Sequence, residues 1–342
     1  MSENQPAVVG QPVRLPGRRS ACPTISQATS YIERHAGEDH NRNACSELAL
    51  AQARMVEAGL RERWPDLTIE TKIIRTRGDE SRPQIRNLRH GRKGLFTAEI
   101  EKALLAGNVD LAVHSAKDLP SELTAGTEIA AVLPRAALDD VLVSKRPGGL
   151  NALEKDATIA TGSVRRKHQL AWKHPGLAIV DLRGNVPTRL RKLAENNWDA
   201  IVLARAGLER LGLLPVGGEI TFEDRQFFTQ VLPQESFLPA GGQGIIAIQI
   251  RADHQGVRAI VDSLNDRETL LCLRAERAFL RLFQGDCNSP VGVLATMEHG
   301  MIKLRAQLFD QLSVAPREGK VEGTCDDGEG LAEELMRQIN GK

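Results

Sequence analysis

An α/β fold of three domains is the architecture this sequence predicts, and three observations carry it. Apolar segments of strand length alternate with amphipathic segments of helix length from residue 46 onward. The same alternation begins again after residue 140, so two similar lobes are expected, each with a mixed, mostly parallel sheet. A chain of 342 residues, 41% apolar and 26% charged, has the length for two or three buried cores.

The elements follow in order. Residues 1–45 mix Pro, Arg, Ser, Asn and His without period and read as a divergent, disordered extension. Leu48, Ala51, Met55, Val56 and Leu60 recur at helical spacing, and Gly59 and Pro65 mark the end of that helix. Residues 68–74 alternate like a strand, 94–105 form an amphipathic helix, and 110–113 a buried strand. In the second lobe, 158–161 is a strand, and Ser163 is an N-cap for a helix reaching residue 172. Residues 177–182 form the next strand and end in Arg183-Gly184-Asn185. Pro187 then opens a helix at a first-turn position that tolerates it, and 199–204 is a strand. The glycine-rich run 238–244 reads as a crossover into the apolar strand 245–250. A helix over 268–283, short strands and a last helix over 329–339 complete a small α+β tail. The expected domains are 46–135 plus 245–263, then 136–244, then 264–342.

Charge and cysteine usage narrow the function. Lys and Arg number 45 against 44 Asp and Glu, a net charge of +1, which argues against nucleic-acid or anionic-membrane binding. No apolar run nears the roughly 18 residues of a membrane span, and no signal-peptide h-region opens the chain. Cys22, Cys45, Cys272, Cys287 and Cys325 are scattered and contain no CxxC pair. Reduced cytoplasmic thiols are therefore expected, without a disulfide framework or a metal site.

In open α/β sheets ligands bind beyond the carboxyl ends of strands, where helix N-termini also point. Lys117 and Asp118 follow the strand 110–113. Arg165 and Arg166 stand in the first turn of the Ser163-capped helix, Arg183 ends a strand, Arg189 begins the next helix, and Arg210 follows the strand 199–204. A helix N-terminus disfavours cations, so arginines there point to an anionic ligand such as a polycarboxylate or phosphate. Taken singly, each group also has a plain structural reading: a solvated or surface-paired arginine, a core Cys272, a hydrogen-bonding His114. Cys287 differs in lying in a Gly/Asp/Asn/Ser/Pro loop suited to an exposed thiol.

Taken together, these segments resemble the porphobilinogen deaminase family. The resemblance rests on Thr76-Arg77-Gly78-Asp79, Lys93-Gly94-Leu95-Phe96 and Val113-His114-Ser115-Ala116-Lys117-Asp118-Leu119-Pro120. It continues through Gly162-Ser163-Val164-Arg165-Arg166, Leu182-Arg183-Gly184-Asn185-Val186, Thr188-Arg189-Leu190 and Arg210-Leu211-Gly212. Gly242-Gln243-Gly244, Glu276-Arg277 and Gly285-Asp286-Cys287 close the series, all in family order. The resemblance implies two periplasmic-binding-protein-like domains followed by a small third. It also implies a transferase that joins four porphobilinogen molecules, releases ammonia and yields hydroxymethylbilane for tetrapyrrole (porphyrin, haem) biosynthesis.

By the same resemblance, Cys287 carries a covalent dipyrromethane that primes the chain, since a thiolate captures an electrophilic carbon and the thioether survives turnover. Asp118 is implied as the catalytic carboxylate, with Lys117 beside it. Lys117 is implied as catalytic too, and Lys117, Asp118, Thr161, Ser163, Arg165, Arg166, Arg183 and Gly184 would bind the cofactor. Ser46, Lys93, Ser115, Arg189, Arg210 and Gln243, with Arg183 again, would bind substrate, and Gln243 and Gly244 also lie at a hinge. A cytoplasmic monomer is expected.

One departure stands out. The family's first strand ends in Thr-Arg-x-Ser, whereas Asn43 and Ala44 precede Ser46 here, and the preceding 38–42 is too polar for a buried strand. A single-base deletion just upstream of Ser46 would convert one choice of codons for Thr-Arg-Gly-Ser into codons for Asn43-Ala44-Cys45-Ser46, so a frame shift is one expected cause. Two rival readings follow: a deaminase impaired by the missing arginine, and a non-catalytic receptor for small anions.

Overall fold

The computed structural model describes residues 27–32, 47–74, 97–214, 218–284, 289–312 and 314–341, the first of these by backbone alone. Ser46, Lys93 and Cys287, with Asn43, Ala44 and the 76–79 motif, lie outside them.

The first sheet holds β1 (Gln27–Ile32), β2 (Thr68–Ile73), β3 (Leu111–Ser115), β4 (Thr127–Val132) and β11 (Ile246–Arg251), in the order β2-β1-β3-β11-β4. β1 falls within the stretch read as an extension, and it pairs in parallel with β2 from Gln27 opposite Thr68 to Ile32 opposite Ile73. The helix α1 (Glu47–Arg63) covers this sheet because Ala49, Ala53, Val56 and Leu60 fall on one face. Glu47 in its first turn and Arg61 and Arg63 in its last complement the helix dipole. β3 and β11 are central and buried along nearly their whole length, which explains their continuous apolar runs. The helix α2 (Ala98–Leu105) packs Ile100 and Leu104 against Val109 and Ala112.

The second sheet runs β7-β6-β8-β5-β10-β9. Its strands are β5 (Asp140–Ser144), β6 (Thr158–Ala160), β7 (Ala178–Val180), β8 (Ala200–Ala204), β9 (Glu219–Phe222) and β10 (Arg225–Leu232). Helices α3 (Val164–Lys173), α4 (Val186–Glu195) and α5 (Arg205–Arg210) flank it, and separate cores form on its two faces. Both sheets are mixed, as expected. Parallel pairs join β1 to β2 and β3, and β6 to β7 and β8. Antiparallel pairs come from β11 and β5, the strands the chain reaches by crossing between lobes, and from the β9–β10 hairpin. The antiparallel share is therefore larger than strand–helix alternation alone suggests. A strand arriving from the other lobe runs against its neighbours.

After α6 (Gln255–Val261), the helix α7 (Arg267–Leu282) leads to an antiparallel sheet of β12 (Val291–Glu298), β13 (Met301–Leu308) and β14 (Arg317–Thr324). α8 (Gly328–Ile339) packs Leu335 onto Phe279, Val293 and Leu304. This small α+β domain is fastened to the crossovers. Glu276 of α7 accepts from Arg135 Nη1 at 2.7 Å, from Gly242 N at 2.6 Å and from Ala295 N at 2.8 Å. Arg135 Nε also donates to Gln243 O at 2.9 Å, so one carboxylate ties both crossovers to the third sheet. Toward the second lobe, Phe309 meets Trp172 and His168 at ring separations of 6.0 and 5.8 Å.

Candidate active site

β3 stops at Ser115, and a single 3-10 turn over Ala116–Asp118 carries Lys117 and Asp118 at its carboxyl end. The second crossover presses on that turn. Gly242 has φ 75°, and a Cβ there would lie 2.9 Å from both Ala116 C and Lys117 N, so only glycine allows the approach. Ser115 Oγ accepts from Gln52 Nε2 at 2.8 Å, which orients the strand end against α1. His114 is buried below the turn. Burial pushes its pKa down to about 4, against the pull of Gln249 and Asp118, so it is neutral at pH 7.

The second lobe contributes two helix starts. Ser163 caps α3 as expected, with Oγ accepting from Arg166 N at 3.4 Å, and the buried Thr161 hydroxyl accepts from Ser163 N at 3.3 Å. Asn185 caps α4, its Oδ1 accepting from Thr188 N at 2.9 Å, with Pro187 in the first turn. Gly184 has φ 119°, and its carbonyl accepts from Arg189 Nε at 2.7 Å, which fixes Arg189 beside the exposed Arg183.

Arg165 and Arg166 are almost fully buried and share one carboxylate that the sequence reading did not pick out. Arg166 Nη2 lies 2.7 Å from Asp140 Oδ1 and Arg165 Nη1 lies 2.9 Å from Oδ2, with Asp140 at 0% exposure. Burial alone would raise the Asp140 pKa, but Arg165 and then Arg166 outweigh it and hold the carboxyl well below its usual range. Two guanidinium groups on one carboxylate leave a net positive charge. Both Nε atoms, like that of Arg210, are buried without a hydrogen-bond partner among the described residues. The one sequence signal for Asp140 is an acidic pair, Asp139-Asp140, immediately before the buried run Val141-Leu142-Val143.

The groups of the two lobes meet. Burial pushes the Lys117 pKa down to about 8, with Asp118 and Asp140 opposing the shift and Arg166 and Arg189 adding to it. Burial likewise takes Arg189 down to about 10, with Arg166 and Arg183 adding to the effect and Asp118 opposing it. Lys117, Asp118, Arg166, Arg183 and Arg189 therefore lie close enough to act on one another's charge, with cations in excess, where the two lobes face each other. No hydrogen bond to Asp118 comes from another described residue, and Lys117 and Arg189 both feel its charge. Two expected site residues sit elsewhere. Gln243 is 1% exposed and inside the crossover, its Nε2 donating to Leu138 O at 2.7 Å and Asp140 Oδ1 at 2.9 Å. Arg210 Nη2 donates to Gly244 O at 2.7 Å, which puts it at the joint.

The cleft suits a group bearing several carboxylates. Its cations outnumber Asp118 and Asp140, and the buried Nε–H groups of Arg165 and Arg166 lack partners among the described residues. Downstream of Cys287, Val293 N donates to Pro239 O at 3.0 Å. A Cβ at Gly292 would lie 2.8 Å from Leu238 O, the carbonyl that accepts from Arg165 Nη1 at 2.9 Å. β12 is thus seated on the Leu238–Pro239 segment, whose Leu238 carbonyl also accepts from Arg165.

Fold and site define a two-lobed α/β protein with a carboxylate, Asp118, at the carboxyl end of a strand and a cluster of arginines facing it. Residues 43–259 match the family model described as porphobilinogen deaminase, dipyromethane cofactor binding domain, and residues 270–340 match porphobilinogen deaminase, C-terminal domain. The chain belongs to the porphobilinogen deaminase family. It is 43% identical over 295 residues to the porphobilinogen deaminase of Syntrophomonas wolfei, covering 86% of this chain and 91% of that one. The Moorella thermoacetica porphobilinogen deaminase is 42% identical over 294 residues, covering 86% and 90%. Among solved structures, the methionine binding protein MetQ aligns over 76% of this chain and 96% of its own, at 14% identity and a TM-score of 0.42.

Proposed function

We propose that this chain is a hydroxymethylbilane synthase: it joins four porphobilinogen molecules head to tail, releases ammonia from each, and frees the linear product by hydrolysis. The observation that carries the reading is the Asp118 carboxylate at the end of β3, within charge range of Lys117 and Arg189, which in turn feel Arg166. Held through the Cys287 sulfur, a dipyrromethane supplies the nucleophilic pyrrole carbon from which the chain grows.

The residues of this chain do the rest. Asp118 accepts a hydrogen bond from the substrate pyrrole N–H and stabilises the positive charge that develops as ammonia leaves the aminomethyl carbon. Arg183 and Arg189 take substrate carboxylates in charge-assisted pairs. Arg165 and Arg166, with Asp140 taking up one of their two charges, present the remaining charge toward the cofactor's acidic side chains. Lys117 adds a cation that is partly discharged near neutral pH. On this reading Ser46 and Lys93 complete the substrate contacts, and the enzyme works as a cytoplasmic monomer on porphobilinogen and the growing oligopyrrole.

The test is the intact mass of the purified chain supplied with porphobilinogen. A dipyrromethane addition is expected, absent in Cys287→Ala, and Asp118→Asn should keep the addition while losing about 10²-fold or more in turnover. A bare mass for the folded wild-type chain would overturn the assignment in favour of a receptor.

A further inference from the structure

On the far side of α7 from the crossovers, the segment after Pro120 and the helix enclose a groove of about 410 Å³. Leu123, Leu270 and Leu273 give it an apolar floor. Arg274, Arg277 and Arg281, spaced three and four apart and so on one side of α7, give it a cationic wall. Glu122 is the one carboxylate among the lining residues.

Arg277 decides what the groove is for. It is 8% exposed, and its Nη2 donates to Pro120 O at 2.7 Å and Ser121 O at 3.1 Å. Those carbonyls orient the guanidinium without cancelling its charge. Burial, then Arg281, push its pKa down to about 10 against the pull of Glu101. A desolvated charge whose hydrogen bonds to described residues go to neutral carbonyls, with Glu101 acting on it only through space, gains from an anionic partner. Among the described residues Arg281 pairs with Glu329, at 2.9 Å and with both side chains exposed, while Arg274 is exposed at the rim.

We propose that this groove is a second anion site, separate from the cleft, for a small amphiphilic anion: a flat apolar ring body lying on the leucines with a carboxylate or sulfonate against Arg274 and Arg277. A volume of this size accepts one such molecule. The site joins the first sheet to α7, the helix that runs toward Cys287, and its assignment does not depend on the reaction carried out in the cleft.

The probe is 8-anilinonaphthalene-1-sulfonate, titrated into the full cofactor-bearing chain and followed by its fluorescence. One saturable site is expected, weakened about ten-fold in Arg274→Glu/Arg281→Glu and unchanged in the cleft variant Arg183→Glu. Binding lost in Arg183→Glu instead, binding unaffected by the double variant, or no saturable binding at all would each overturn the proposal. Far-UV circular dichroism matches the variants to the wild type. Arg274→Glu alone, at an exposed position, repeats the comparison if the double variant unfolds.

Discussion

Lys117 and Asp118 are neighbours on one tight turn, yet their surroundings make them unequal partners. The lysine pays for desolvation with a pKa of about 8, so its cation is lost within the range where enzymes are assayed. KM for porphobilinogen is therefore expected to rise as pH passes above about 8, and Lys117→Arg should remove that rise. Stability moves the other way. The folded pKa lies below the ordinary 10.5, so between about pH 8 and 10.5 the unfolded chain binds more protons and the folded state gains stability with pH. Denaturant unfolding at pH 8 and pH 10 checks this, with the gain absent in Lys117→Met. The sequence exposed Lys117, Asp118 and the arginines because each follows an apolar strand or opens a capped helix. It did not expose Asp140 as the partner of Arg165 and Arg166. That carboxylate lies some 25 residues away on a strand whose place in the sheet only the crossover fixes.

At the level of elements, local chemistry was the best guide. Ser163 and Asn185 cap α3 and α4, Pro187 sits in the first turn, and the glycines of 241–244 mark a crossing rather than a phosphate loop. Asn185 allows stability and charge to be separated. Asn185→Ala removes a 2.9 Å cap bond and should cost about 1 kcal/mol in unfolding free energy. Asn185→Asp should keep the cap while weakening substrate binding, because it places an anion between Arg183 and Arg189; KM and unfolding midpoints measured together distinguish the two. Elements whose pairing depends on distant chain were less legible. The strand Gln27–Ile32 lies in a stretch too polar and aperiodic to announce itself, and it is defined by its parallel register with Thr68–Ile73. β4, β5, β9 and β10 were not read: β4 and β5 take partners distant in the chain, and the β9–β10 hairpin joins the sheet only through β5.

For the molecule as a whole, the third domain is coupled to the two lobes through Glu276. Its oxygens hold Arg135, Gly242 N and Ala295 N, so no described hydrogen bond of this carboxylate is to its own helix surface. Glu276→Gln leaves the Arg135 guanidinium, 12% exposed, without its counter-charge and should lower stability by about 3–5 kcal/mol in denaturant unfolding. Arg135→Met/Glu276→Gln together should cost less than the sum of the single changes.

Asp140 belongs to two assemblies at once. One of its oxygens receives both Arg166 and Gln243, so a single atom serves the arginine pair and the crossover between the lobes. Any coupling between those two neighbours acts with equal strength in both directions.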